Sequence, residues 1–340
     1  MIRMGIVGVG SMGRGHLGNC EKLEKEEKLR VVALADTDPQ AFGGGYQKSD
    51  YLPGMQQDAF RFSKYNLYAS AEEMLDKEKL DFVLIAAPTY EHEKLACQVM
   101  ERGVHCLSEK PMALNLAQCD RMIACSERNG VHLMIGQCLR FAGTYRVVKD
   151  YMENGELGEA FGGFYERGGS KPGKDWFFRR ELGGGGLFDQ HIHDVDMVQY
   201  LYGMPRAVTT RGRICIPGSG YDMCVTNYIY DEPYAVSSMN DWIKSERGFG
   251  RSFRAEFEKG TVLFDDARGF RVVRREDGAV ITPAYDPRDS HLIEVEFFAS
   301  LIEGKVKENT ICTPQSCRET IRLALAEAES ADRGGEMVFL

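Results

Sequence analysis

Ile2-Arg3-Met4-Gly5-Ile6-Val7 followed by Gly8-Val9-Gly10-Ser11-Met12-Gly13 decides how the rest of the chain is read. An apolar run of the length of one buried parallel strand enters a glycine turn, and residues 14–25 continue from it with helical character. In a strand–turn–helix unit with the spacing G-x-G-x-x-G, the first glycine permits the tight turn. The second lets backbone N–H groups approach a pyrophosphate, and the third lets the helix pack close to the strand. The positive end of the helix dipole then faces the phosphate. Alone, this pattern also fits a plain flexible turn; its surroundings give it meaning.

A second strand, 30–35, ends at Asp36. That is about 20 residues beyond the turn, where an acidic residue accepts hydrogen bonds from an adenosine ribose. The Asp36 carboxylate also repels a 2′-phosphate, and Thr37 follows it where an arginine would be needed to hold one. NAD is therefore the expected dinucleotide and NADP the less favoured one, with Gly8, Gly10, Ser11, Met12, Gly13 and Asp36 in contact with it.

With 340 residues the chain is long for one core and suits two domains. A net charge of −9 without a run of Lys or Arg argues against nucleic acid or an anionic membrane as partner and favours a small polar ligand. No apolar stretch approaches the ~18 residues that span a bilayer. The start runs directly into the first strand, so no leader is expected. The ten cysteines are scattered without a CxxC pair and read as reduced core residues, which points to the cytoplasm.

After Asp36, residues 37–66 read as a short helix and an excursion whose aromatic residues (Tyr46, Tyr51, Phe60, Phe62, Tyr65) pack over an edge or a partner subunit. Strand 82–87, helix 90–102, strand 104–107, helix 116–129 and strand 132–135 then alternate, which implies a doubly wound parallel sheet. Ligands of such sheets lie beyond the carboxyl ends of the strands, so Ala87-Pro88-Thr89 and Ser108-Glu109-Lys110-Pro111 should line the cofactor cleft. Past residue 136, β-branched and aromatic runs separated by turns replace the alternation, and helices near 290–303 and 314–330 close the chain. The expectation is an α/β protein: a Rossmann domain over 1–136, then an α+β domain over 137–340 with a large, mainly antiparallel open sheet.

In the second domain, Gly183-Gly184-Gly185-Gly186 leads into Leu187-Phe188-Asp189-Gln190-His191-Ile192-His193-Asp194-Val195-Asp196. If a helix starts near Leu187, Asp189, His193 and Asp196 share one face, and a carboxylate one turn from an imidazole suits a general base. The bland alternative is a capping aspartate and a core histidine. Two histidines spaced as His191 and His193 point nearly opposite ways on a helix, so no metal site is expected from them. Lys110 is the second candidate: beside an oxidised, cationic nicotinamide its pKa should fall towards the useful range. Arg140, Tyr165, Trp176, Phe177, Arg179 and Arg180 lie on segments expected to face the cleft, where aromatic and arginine side chains suit a sugar ring. The competing reading makes the aromatics sheet core and pairs the arginines with acidic neighbours.

The glycine turn, Ala87-Pro88-Thr89 with His92, Glu109-Lys110-Pro111, and Gly184-Gly185-Gly186-Leu187-x-Asp189-x-x-x-His193-x-x-Asp196 occur in an order that resembles the glucose-fructose oxidoreductase/inositol dehydrogenase (Gfo/Idh/MocA) family over nearly the whole chain. The resemblance implies NAD(P)-dependent oxidation or reduction of sugars, polyols or their derivatives, and a second domain used for substrate binding and oligomer contacts. It makes Lys110, Asp189 and His193 the catalytic group; these three are expected to touch substrate, as are Arg140, Tyr165 and Trp176 from their place on cleft-facing segments. It also adds Ala87, Pro88, Thr89, His92, Glu109 and Lys110 to the cofactor contacts. His191 departs from the family, which often has a small residue there. The expected protein is a homodimer or homotetramer. Its rivals are an enzyme that keeps its NAD and cleaves a sugar through transient oxidation, and a sugar or nucleotide sensor without turnover.

Overall fold

The computed structural model describes residues 1–43, 61–169, 172–243 and 249–340. Tyr46, Tyr51 and Phe60 of the expected excursion lie outside the described residues. The chain divides into two compact units, Met1–Cys138 with Asp289–Arg318, and Leu139–Arg288 with Glu319–Leu340. The sequence reading has one crossing between domains, near residue 136. The structure has a crossing at 138/139 and two more, at 288/289 and 318/319.

In the first unit, β1 (Ile2–Val7), α1 (Ser11–Lys25), β2 (Leu29–Ala35), β3 (Asn66–Tyr68), α2 (Ala71–Lys77), β4 (Phe82–Ile85), α3 (His92–Met100), β5 (His105–Glu109), α4 (Leu116–Asn129) and β6 (Leu133–Gly136) follow one another. The strands pair in parallel in the order β3-β2-β1-β4-β5-β6. All four residues of β4 are buried, as in a strand covered on both faces. Strand order reverses between β1 and β4, which makes the ends of those strands the switch point where ligands of such sheets bind.

The second unit contains α5 (Gly143–Asn154), β7 (Ala160–Gly168), α6 (Ile192–Tyr202), β8 (Ala207–Arg213), β9 (Met223–Ile229), β10 (Ala235–Asp241), β11 (Gly250–Phe257), β12 (Gly260–Asp265), β13 (Gly269–Arg274) and β14 (Val280–Ile281). With the terminal strand β15 (Val338–Phe339) they order as β14-β13-β12-β11-β7-β10-β9-β8-β15. The β7–β10 pair is parallel and the others are antiparallel, because the connection from β7 through α6 lets β10 run beside β7 in the same direction. The strands alternate: Cys224, Thr226 and Tyr228 of β9 are buried while Val225 and Asn227 are exposed, and Phe164 and Glu166 of β7 are exposed between buried neighbours. Helix α6 packs on β7 and β10. The opposite face carries Phe164 and Val225, each about two-fifths exposed.

Helix α7 (Ser290–Ile302) belongs to the first unit. Its Phe298 meets Phe82 of β4 edge-on at 5.3 Å, and its N-cap Asp289 accepts from the backbone N–H groups of His291 and Leu292 and from Asn19 Nδ2 on α1. Helix α8 (Pro314–Asp332) begins in the first unit, where Arg318 pairs with Asp120, and ends in the second. No helix among the described residues is long and apolar enough to cross a membrane.

The glycine run before Asp189 is a packing device. Gly185 has φ +71° and a Cβ there would lie 2.7 Å from the Gly220 backbone, so two chain segments touch where a side chain cannot fit. Replacing Gly185 with Ala forces left-handed backbone and overpacking together. It should lower the unfolding free energy by about 1–3 kcal/mol in denaturant titration; a neutral result would mean that the 183–186 segment is not held against Gly220.

Candidate active site

The glycine turn is built from two constraints. Gly8 has φ +88°, and a Cβ on it would lie 2.5 Å from the Ala86 carbonyl oxygen at the end of β4. A Cβ on Gly13 would lie 1.9 Å from the Gly8 carbonyl oxygen, so α1 starts hard against β1 only because residue 13 has no side chain. Gly10 differs, since a Cβ there meets nothing within 4 Å among the described residues. It caps α1 without a side-chain hydrogen bond and with no acidic residue in the first turn. Backbone at a helix N-terminus with room beside it and no carboxylate competing for it fits a pyrophosphate. Asp36 stands next to it: its Oδ2 accepts from Val9 N–H at 2.7 Å and its Oδ1 from Asp38 N–H at 2.9 Å. The carboxylate is half-buried and oriented by backbone, and its remaining lone pairs suit ribose hydroxyls.

Two histidines tie down the Lys110 loop. On one side, His16 Nε2 lies 2.6 Å from Glu109 Oε1, while Glu109 Oε2 accepts the Lys110 backbone N–H at 3.0 Å. Burial pushes the Glu109 carboxyl up, and the hydrogen bond from His16 and the nearby positive charges more than reverse this, leaving it well below the usual carboxylate range. On the other side, His92 places Nδ1 2.8 Å from the Pro111 carbonyl and Nε2 2.9 Å from the Ala87 carbonyl. Two carbonyl acceptors call for two N–H groups, yet burial pushes the His92 pKa down, so the neutral ring donates to one loop at a time. The Lys110–Pro111 peptide is cis, and Lys110 itself is half-buried.

In the second unit, Leu187–His191 is one turn of π-helix, and α6 follows directly. The wider turn changes the phase expected for a plain helix. Asp189 is buried within the π-turn and His193 is half-buried at the start of α6. His191 turns into the core, with Nε2 3.1 Å from Glu327 Oε2 on α8 and 3.2 Å from Ser238 Oγ. Tyr228 completes this network by donating to Glu327 Oε1 at 2.8 Å.

Residues 2–137 match the family model described as oxidoreductase family, NAD-binding Rossmann fold, and residues 145–262 match the Gfo/Idh/MocA C-terminal domain. The chain belongs to the Gfo/Idh/MocA family. Among curated relatives it is similar to the 2,7-anhydro-N-acetylneuraminate hydratase of Mediterraneibacter gnavus, with 30% identity over 68% of this chain and 59% of the relative. It is also similar to the myo-inositol 2-dehydrogenase of Thermotoga maritima, with 28% identity over 59% of this chain and 55% of the relative. The matches thus span little more than half the length of these relatives. A solved neighbour is the WlbA dehydrogenase from Bordetella pertussis in complex with NADH and UDP-GlcNAcA, with TM-score 0.82 and 21% identity over 100% of this chain and 98% of that one.

The first unit of this Gfo/Idh/MocA chain groups the turn 8–13, Asp36, and the loops 87–89 and 109–111 around the ends of β1, β2, β4 and β5. His92 lies behind them, only 1% exposed, between the Ala87 and Pro111 carbonyls. Two expected substrate contacts are instead structural. Arg140 is 1% exposed, and its guanidinium grips Asp196 through Nε–Oδ2 at 2.9 Å and Nη2–Oδ1 at 2.6 Å. Asp196, expected on the face of Asp189 and His193, is thereby used up, with Thr320 also donating to it. Tyr165 is 2% exposed, bonded to the Tyr202 hydroxyl and packed against Phe253. Trp176 keeps part of its surface and stacks on Phe177 at 3.7 Å, while Arg180 pairs with Asp332. His16 was not singled out from sequence; its place one turn beyond Gly13 on the buried side of α1 is the signal that marks it.

Cutting Arg140 back to Met should leave the Asp196 carboxylate buried without its counter-charge and cost about 3–5 kcal/mol of stability. Unchanged thermal stability with weakened substrate binding would instead return Arg140 to the substrate pocket.

Proposed function

We propose that this protein is an NAD-dependent oxidoreductase that interconverts a secondary hydroxyl and a carbonyl on a sugar, an inositol-like polyol or a sugar derivative. The observation that carries the reading is the pairing, in one Rossmann unit, of the uncapped glycine turn beside Asp36 with the doubly anchored Glu109-Lys110-Pro111 loop. Bound NAD supplies the hydride acceptor, or in the reverse direction NADH the donor. The chain does the rest. Backbone N–H groups at Gly10–Gly13 hold the pyrophosphate, Asp36 holds the ribose and repels a 2′-phosphate, and loops 87–89 and 109–111 border the nicotinamide.

Lys110, Asp189 and His193 are the proposed catalytic group. His193 takes the hydroxyl proton on a ring nitrogen, the Lys110 ammonium stabilises the developing alkoxide, and Asp189 orients the substrate. The part-exposed Trp176–Phe177 stack offers an apolar face to a sugar ring. A second copy of the chain covers the sheet face that carries Phe164 and Val225, giving a homodimer or homotetramer. The reduced cysteines suit a cytoplasmic setting.

A second reading draws on one relative's name: an anhydro-sugar hydratase among the matches favours an enzyme that oxidises its substrate transiently and regenerates its NAD. Near-ultraviolet absorbance of NADH separates the two when purified protein meets NAD with inositols, aldoses, sugar acids and amino sugars. Net NADH with one class supports the dehydrogenase. Product by mass spectrometry without net NADH supports the second reading, and binding without conversion supports a sensor.

Lys110→Ala and His193→Ala should each lower kcat/KM by about 10²–10⁴-fold. NAD binding, followed by fluorescence, should persist in both. Full turnover in both variants would remove these residues from the mechanism.

A further inference from the structure

Behind the Lys110 loop, three polar side chains from three elements converge in the core of the first unit. His16 comes from α1, Glu109 from the end of β5 and Glu294 from α7, with exposures of 1%, 5% and 0%. One ligand-capable atom from each lies within 4.8 Å of those from the other two. The hydrogen bond between His16 and Glu109 accounts for part of this group. It leaves His16 Nδ1 and both carboxylate oxygens of Glu294 without a hydrogen-bond partner among the described residues.

A carboxylate with both oxygens buried and unpaired is costly, and a second carboxylate beside it raises the cost. Such a group calls for something that brings positive charge or a donor to it. We propose that His16, Glu109 and Glu294 form a structural site for one divalent transition-metal ion of the zinc or manganese class. An imidazole nitrogen with two carboxylates matches the mixed N/O ligation these ions accept, whereas Mg²⁺ and Ca²⁺ prefer all-oxygen sets. Glu294 can bind through one oxygen or both, which gives three or four protein ligands. Metal binding replaces the proton shared between His16 Nε2 and Glu109 Oε1, and the two atoms move apart from 2.6 Å to the spacing of ligands on one ion.

We assign the site a structural role because none of its three ligands is more than 5% exposed. Its consequence is mechanical. The ion fastens α7, which reaches this unit from far along the sequence, to α1 and β5, and it stiffens Glu109, whose other oxygen holds the Lys110 N–H.

The test uses the full chain, stripped with a chelator, reloaded separately with Zn²⁺ and Mn²⁺, and desalted. We expect one equivalent of one of these metals to stay with each wild-type chain by elemental mass spectrometry, with a rise in Tm. Both should fall to background in Glu294→Gln. No retained metal and no Tm shift in the wild type would overturn the proposal, leaving a buried water or proton to bridge the three groups. Equal retention by Glu294→Gln would overturn it as well. X-ray absorption at the metal edge of the loaded wild type needs no variant: a nitrogen and oxygen shell with an imidazole signature supports the site, and sulfur ligation would move the ion to the cysteines. None of these readouts depends on turnover, so they stand apart from the enzymatic reading.

Discussion

The approach of Gly13 to the Gly8 carbonyl is the constraint from which the first unit follows. A Cβ at residue 13 would sit 1.9 Å from that oxygen, so the helix can begin directly against the strand only where the side chain is missing. That contact aims the N-terminus of α1 beyond the ends of β1 and β4, where the strand order reverses. It also fixes where the next turn of α1 lands. His16, three residues further on, reaches Glu109 at the end of β5 and so governs the backbone of Lys110. His92 sits on the far side of the same loop, its ring nitrogens facing the Pro111 and Ala87 carbonyls, so that its one N–H holds either of them. The glycine turn and the Lys110 loop are thus parts of one hydrogen-bonded assembly.

The second unit solves a different problem. Its catalytic candidates sit where a tight glycine segment enters a helix, and the π-turn at Leu187–His191 gives that entry an additional residue. With the phase shifted, His191 points into the core towards Glu327 and Ser238. The chain accommodates a fully buried histidine here because an acceptor on α8, Glu327, faces it. Farther along α6, Asp194 and Asp196 neutralise Arg167 and Arg140. Buried pairs of this kind hold two elements in one register, and removing either partner leaves a charge that the interior cannot solvate.

Much of this was legible in the sequence. Alternating strands and helices with apolar strand interiors specify a parallel sheet, and the limits expected for α4 coincide with those observed. Pairing was not legible. The apolar face of α7 says that the helix is buried, not that it packs on α1, so its return to the first unit could not be read from periodicity. The strand β3 has three residues, two of them exposed, and leaves no run to detect. Arg140 and Tyr165 look like pocket residues by type; their assignment to the interior depends on Asp196 and Tyr202, which are 56 and 37 residues away. The four glycines do not say what they pack against; Gly185 approaches the backbone of Gly220, 35 residues further on.

Titration calorimetry of the wild-type chain with NAD and with NADP tests the central claim most directly, that the 8–13 turn and Asp36 form an NAD-selective cradle. The account predicts one NAD per chain, bound at least about tenfold more tightly than NADP, a difference of ~1.4 kcal/mol. Binding of neither dinucleotide, or tighter binding of NADP, would contradict it.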